Sequence, residues 1–176
     1  MPPTESVPFA NLGGFCADIV AISTAPAAPT NIAKGRQNPL GKAYGGEYDL
    51  TLETSGSLSM YHGSAGNDAS PYTTFNSPVI SQSDWTHVVY TRDTATRTVK
   101  IYLNGKLRTT GTYSSTYDPV PSTRSFKFGY EYAGYFQGYL DEVMLFPTTK
   151  TQSEINALYS AGNAGVAAVK GISVSA

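Results

Sequence analysis

The chain is poor in several kinds of residue, and each shortage removes a class of protein. Its 176 residues include a single cysteine, Cys16, so neither an intrachain disulfide framework nor a thiolate zinc cluster can be built. Cys16 lies in an apolar run and reads as a small buried hydrophobe. The two histidines, His62 and His87, do not have the spacing of a His-based metal helix. Charged residues make up only 14%, the net charge is −1, and there is no basic run, which removes the electrostatic footprint of a nucleic-acid binder. Apolar stretches are a few residues long and far short of a membrane-spanning helix, so no membrane insertion is expected. The leading MPPTESVPFANLGG has no basic n-region and no apolar h-region, and so does not read as a signal peptide. No Gly-x-Ser-x-Gly elbow is present either.

The chain is rich in tyrosine (13) and glycine (17), with 40% hydrophobic residues overall. That balance points to one turn-rich all-β domain, long enough to bury a core without covalent staples. The clearest stretch is Asp84–Leu107, DWTHVVYTRDTATRTVKIYLNGKL. Two β-branched and aromatic segments flank the turn-forming Asp93–Thr96, and Asn104-Gly105 supplies the two positive-φ residues of a type I′ hairpin. Residues 1–14 read as an irregular lead, Phe15–Ile22 as the first strand, and Asn31–Lys34 as a short strand. Gly35–Gly46, with Pro39 and several glycines, reads as a long loop. Glu47–Glu53 alternates strictly, with Tyr48, Leu50 and Leu52 on one face and Glu47, Asp49, Thr51 and Glu53 on the other, and Ser57–His62 returns as its hairpin partner. Tyr72–Phe75 and Val79-Ile80 read as strand pieces broken by Pro78. Leu107–Thr112 completes the Asn104-Gly105 hairpin, and Tyr113–Thr123 is a loop. Ser125–Tyr130 is a strand and Phe136–Phe146 the longest strand candidate. Thr151 and Glu154 form a capping box opening the one helix, which Gly162 is placed to stop. Both faces of 85–90 are apolar apart from Thr86, so the outer face is expected to be covered by loops or a partner.

WTHVVYTRD, VKIYLNGKL, FQGYLDEVMLF and TQSEINALY, in that order, resemble the C-terminal half of a laminin-G-like domain of the concanavalin A-like lectin/glucanase superfamily. FCADIVAI, NIAKGR and EYDLTLETSGSLSMY resemble its earlier strands. The resemblance implies a jelly-roll β-sandwich of two antiparallel sheets with one short C-terminal helix. It places the domain at 15–162, after the 1–14 lead and before a tail at 163–176 that forms an extra strand or an arm. The family's initial strands and Asp-Asn-Gly-rich loop have no counterpart in these residues. The superfold hosts lectins, adhesion domains and glycosidases alike, so it does not decide function.

Related glycosidases carry two glutamates about an aspartate on one strand, and Glu47, Asp49 and Glu53 are the nearest match. Six residues of strand separate the two glutamates by about 20 Å, whereas catalytic pairs stand about 5–9.5 Å apart. These acids therefore read as a solvated outer strand face, and no catalytic activity is expected. The resemblance also raises a calcium site, for which Asp141 in LDEV matches an acidic position of the family. Asp68 and Asp118, with Asn67, are loop oxygen donors of suitable chemistry. Recognition falls instead to the loop aromatics Tyr113, Tyr117, Tyr130, Tyr132 and Tyr135, with Tyr72 near them and His62 beside a glycine-rich loop. Trp85 and Val89 read as core and His87 as packing.

Two functions stay open. One is a lectin-like adhesion module whose partner is a glycan or a protein surface. The other is a structural protein decorating or capping a larger assembly, such as a virion, through homo-oligomer or particle contacts. Either places the protein outside its cell or on a particle surface, reached after removal of a leader or by lysis.

Overall fold

The computed structural model describes residues 14–23, 35–81 and 84–170, by backbone alone at 14–23 and 163–170. Two sheets face each other across a hydrophobic core. The first has six strands: β1 (Gly14–Ser23), β6 (Thr86–Asp93), β7 (Thr98–Leu103) and β8 (Lys106–Thr112) lie side by side, and β12 (Tyr139–Leu140) and β13 (Val143–Phe146) pair with the free side of β1. The second, seven-stranded sheet is built on β2 (Gln37–Ala43), β3 (Tyr48–Leu52), β4 (Ser57–Gly63) and β5 (Tyr72–Val79). On the far side of β2 it takes in β9 (Lys127–Phe128), β10 (Tyr130–Glu131) and β11 (Gly134–Tyr135). Pairing is antiparallel throughout, except for a single parallel bridge between Tyr135 and Asn38.

Alternation decides which residues enter the core. Tyr48, Leu50 and Leu52 from β3, Leu58 and Met60 from β4, Val88 and Tyr90 from β6, and Val99, Ile101 and Leu103 from β7 form one buried cluster. Two polar contacts cross it. His62 Nδ1 lies 3.2 Å from the Tyr90 hydroxyl, and the fully buried Arg92 donates to the Glu47 carbonyl at 2.6 Å. The opposite parity of β6 and β7 faces outward, and there Val89 and Tyr102 pack under Ile155 of α1 (Gln152–Lys170). The cover of the doubly apolar strand is thus a helix of the same chain, not the loops or partner expected. Tyr159, one turn on, lies 5.4 Å from the buried His87 ring, and Trp85 packs half-buried against Tyr139. The capping box forms as expected: the Thr151 amide donates to Glu154 Oε2 at 2.8 Å, and the Glu154 amide to Thr151 Oγ1 at 3.3 Å.

Several expectations need correction. Gly35–Gly46 is not a loop, because β2 runs through it, with Pro39 accommodated where the β2–β3 register shifts between Gln37 and Leu40. β5 continues through Pro78 because it is an edge strand, where a missing N–H is harmless. Gly129, at φ +71°, splits the expected 125–130 strand into β9 and β10. Glu142, at φ +47°, likewise splits Phe136–Phe146 into β12 and β13. Gly162 does not stop α1, which continues to Lys170, so the first part of the tail is helix and not strand. The strand expected at Asn31–Lys34, the lead before Gly14 and the last six residues lie outside the described residues. No helix among the described residues is long and apolar enough to cross a membrane.

Candidate functional site

The outer face of β3 departs furthest from expectation. Glu47, Asp49 and Thr51 are buried rather than solvated, because the segment following Tyr113 folds back over them. Its backbone amides donate to acceptors on the neighbouring β2 as well as to Glu47, the residue before β3. Ser122 N–H donates to Glu47 Oε2 at 3.1 Å, Gly129 N–H to the Pro39 carbonyl at 2.7 Å, Gln137 N–H to Gln37 Oε1 at 2.8 Å, and Ala133 N–H to Asn38 Oδ1. Lys42 closes on Glu47 as a buried ion pair. A polar strand face has thus become the floor of a covered layer, with hydrogen bonds and an ion pair meeting part of what burial demands.

A cleft of about 180 Å³ remains open in that layer. Its walls are Tyr44, Tyr61, Tyr72 and Tyr132, its floor is Asn38, Asp49 and Thr51, and Arg36 stands at the rim. Register explains part of this arrangement, since Tyr61 on β4 lies directly opposite Asp49 on β3 and so shares its outward face. Tyr44 is the central ring. It meets Tyr72 edge-on at 5.0 Å and Tyr132 at 4.8 Å between centroids, and its hydroxyl donates to the Asp68 carbonyl at 2.7 Å. At the rim, Arg36 donates from Nε to Glu53 Oε2 at 2.9 Å and from Nη2 to the Tyr61 hydroxyl at 2.8 Å.

On the floor, Asp49 Oδ1 accepts from Asn38 Nδ2 and, at 3.0 Å, from the Thr51 hydroxyl, while the buried Oδ2 has no hydrogen-bond partner among the described residues. Burial raises the Asp49 carboxyl to about 7; the Thr51 hydrogen bond opposes the rise, and the charges of Glu131 and Asp68 add to it. Gly41 lets Asp49 and Glu131 come this close. A Cβ there would stand 2.7 Å from Asp49 Oδ2 and 3.1 Å from Glu131 Cγ.

Of the aromatics expected from sequence, Tyr132 forms a wall of the cleft and is 65% exposed. Tyr130 and Tyr135, paired across the β10–β11 hairpin, stack on each other at 4.5 Å and face solvent beside the cleft without lining it. Tyr117 packs partly buried against the core. Tyr113 and His62 are corrections: both are buried and meet edge-to-face at 4.5 Å inside the sandwich, out of reach of an external ligand. Burial and the Arg92 charge lower the His62 ring to about 2, so it is a neutral core group.

The three aspartates considered for calcium do not assemble. Asp118 is held by both Nε and Nη2 of Arg97 at 2.8 Å. Asp68 pairs with Arg124 at 3.0 Å and accepts the Tyr44 amide. Asp141 is exposed and bonds its neighbour's amide. Among the described residues no group of three or more acidic, histidine or cysteine side chains is placed to hold a metal ion. Oxygens already taken up by guanidinium groups are poor calcium ligands.

The sequence profile of a laminin-G family, described as the concanavalin A-like lectin/glucanases superfamily, matches residues 20–156. The chain belongs to that superfamily. No curated protein matches it in sequence. Among solved structures, the superfamily sandwich resembles the receptor-binding domain of botulinum neurotoxin C/D mosaic serotype, with a TM-score of 0.66 and 13% identity over 88% of this chain and 37% of that one. It also resembles the CBM40 domain of Ruminococcus gnavus IT-sialidase bound to α2,3-sialyllactose, with a TM-score of 0.64 and 15% identity over 85% of this chain and 84% of that one. A third likeness is the binding domain of botulinum neurotoxin DC in complex with rat synaptotagmin II, with a TM-score of 0.57 and 14% identity over 87% of this chain. The chain spans little more than a third of the toxin chains. At these identities the likeness is one of fold.

Proposed function

We propose that this superfamily member is a non-catalytic recognition module that binds carbohydrate, free or on a glycoprotein, in the tyrosine-walled cleft over β2, β3 and β4. The cleft itself carries the reading: four tyrosine rings surround a polar floor in a concavity of monosaccharide scale. Aromatic faces suit the CH surfaces of a sugar, and a few fixed polar groups orient its hydroxyls. The solved structures of like fold, a carbohydrate-binding domain and toxin receptor-binding domains, support binding as the activity. The acid inventory supports the absence of turnover. Among the described residues Asp49 is the single carboxylate lining the cleft, and a glycosidase needs two flanking the scissile bond. A glycan array probed with the purified protein, followed by calorimetry on the hits, tests the proposal. A defined saccharide bound by the wild type and lost in Tyr132→Ala supports it, and an empty array counts against it.

A second reading, a capping role on a larger assembly, draws on the exposed aromatics Phe128, Tyr130 and Tyr135 beside the cleft. Self-association that is lost in Tyr135→Ala would favour it.

A further inference from the structure

We infer that the β10–β11 hairpin carries a second sugar subsite beside the cleft, so the module's ligand is an uncharged, linear, β-linked oligosaccharide rather than a single terminal sugar. The inference rests on the carbohydrate reading above and adds the length and charge of the chain that is bound.

The hairpin ties the two places together. Its turn residues, Tyr132 and Ala133, both line the cleft. Tyr130 and Tyr135, paired across the hairpin, stand two residues back from that turn, about 7 Å along the strands. Tyr135 is also bridged in register to Asn38 of the cleft floor. A chain leaving the cleft past Tyr132 meets this tyrosine pair next.

The pair is built as a platform. Its rings stack at 4.5 Å between centroids with their planes 31° apart, and Lys127 Nζ stands 5.5 Å from the Tyr130 centroid. Tyr135 is 74% exposed, whereas Phe136, the next residue, packs against the core. Glu131, between the tyrosines of the hairpin, is buried, and the Ala133 amide donates to Asn38 Oδ1. At the base of the hairpin, Gly129 N–H donates to the Pro39 carbonyl at 2.7 Å and Phe136 N–H to the Gly129 carbonyl at 2.8 Å. Rings fixed in this way lose little freedom on binding, which suits a stacking surface for the CH faces of a sugar.

Area and charge select the occupant. Phe128, Tyr130 and Tyr135 together expose about 350 Å² at ~200 Å² a ring, under half of the ~800 Å² that a stable protein partner covers. A short run of sugar rings fits within it. Arg36 is paired with Glu53 at 2.9 Å, Arg124 with Asp68 at 3.0 Å and Lys127 with Glu131 at 2.7 Å. An anionic sugar approaching any of these cations also meets the carboxylate seated on it, whereas a neutral chain leaves the pairs intact. Likeness of fold to a sialyllactose-binding domain therefore does not extend to this chain's choice of ligand.

Isothermal titration tests the inference with oligomers of two to six residues in four series. These are β-1,4-linked glucose, mannose and N-acetylglucosamine and β-1,3-linked glucose, with 3′-sialyllactose as the short anionic comparison. In a series that binds, affinity is expected to rise about tenfold from dimer to tetramer, about 1.4 kcal/mol. Tyr135→Ala should cut that gain to about twofold, and Tyr132→Ala should weaken dimer and tetramer alike. Both rings are mostly exposed, so both variants are expected to fold. Affinity independent of length, or a gain untouched by Tyr135→Ala, would overturn the inference and leave the carbohydrate reading intact. So would sialyllactose bound more tightly than every neutral oligomer, or array saccharides bound with none of the four series. Self-association that disappears in Tyr135→Ala, with no gain from length, would assign the platform to a second copy and overturn it too. A protein that binds no saccharide at all would overturn both.

Discussion

The Arg36 guanidinium at the rim of the cleft is held by Glu53, with Nε 2.9 Å from Oε2, and so is engaged before any ligand arrives. Asp49, on the floor of the same cleft, has only neutral donors among the described residues.

Tyr132 is a wall of the cleft and mostly solvent-exposed, so its ring contributes little to folding. Tyr132→Ala should leave the denaturation midpoint nearly unchanged, within about 0.5 kcal/mol, and weaken saccharide binding about tenfold. Paired urea melts and calorimetric titrations check both. A large loss of stability with unchanged affinity would place the ring in the fold rather than in the site.

Asp49 makes stability depend on pH in an unusual direction. Its carboxyl is raised to about 7 in the folded protein, chiefly by burial, whereas an unfolded aspartate titrates near ~3.9. Between those values the folded state holds a proton that the unfolded chain has lost, so this group's contribution falls as pH rises from about 4 to 7 and is level above. Asp49→Asn should accordingly gain more stability over the wild type at pH 8 than at pH 5. Urea midpoints at the two pH values give the comparison, and an equal or reversed gain would mean Asp49 is not the strained acid described above.

Gly41 faces Asp49 across β2 and β3. In Gly41→Ala the new methyl meets the end of a side chain rather than backbone, 2.7 Å from Asp49 Oδ2, so the carboxylate can move aside. The expected result is a modest stability loss with a disproportionate loss of binding. Equal affinity to the wild type would indicate that the placement of the Asp49 side chain does not matter to the ligand.

The helix docks on the opposite side of the sandwich, through Ile155 on Val89 and Tyr102. Ile155→Ala should cost about 2–5 kcal/mol, and Thr151→Ala, which breaks the capping box, about 1 kcal/mol. Neither should alter saccharide affinity measured at a temperature where the variant is folded. A binding defect in Thr151→Ala would tie the helix to the site.

The sandwich was legible wherever local chemistry and tertiary context agree. Asn104 and Gly105 take the positive φ values, 51° and 73°, that a type I′ turn requires, and the Thr151–Glu154 cap is closed by contacts four residues span. β2 was illegible because Pro39 and its glycines signal a loop, and only the register shifts of the folded sheet make room for them. The site was half legible. Tyr132 is an aromatic in a loop and Tyr61 shares a face with Asp49 by simple alternation, so both carry a local signal. Nothing local says that Glu47, Asp49 and Thr51 are covered, because the cover comes from Ser122, Ala133 and Gln137, far along the chain. The strand pattern that reads as a solvated face is the same pattern that makes a polar floor once a distant segment closes over it.

The most direct test of the central claim is a heteronuclear NMR titration of the wild-type protein with the saccharide selected on the array. Perturbed amides should map to Tyr44, Asp49, Tyr61, Tyr72 and Tyr132, with Val89 and Ile155 on the far side of the sandwich unmoved. Saturable perturbations confined to the Tyr130–Tyr135 platform or to the helix side, with the cleft residues silent, would contradict it.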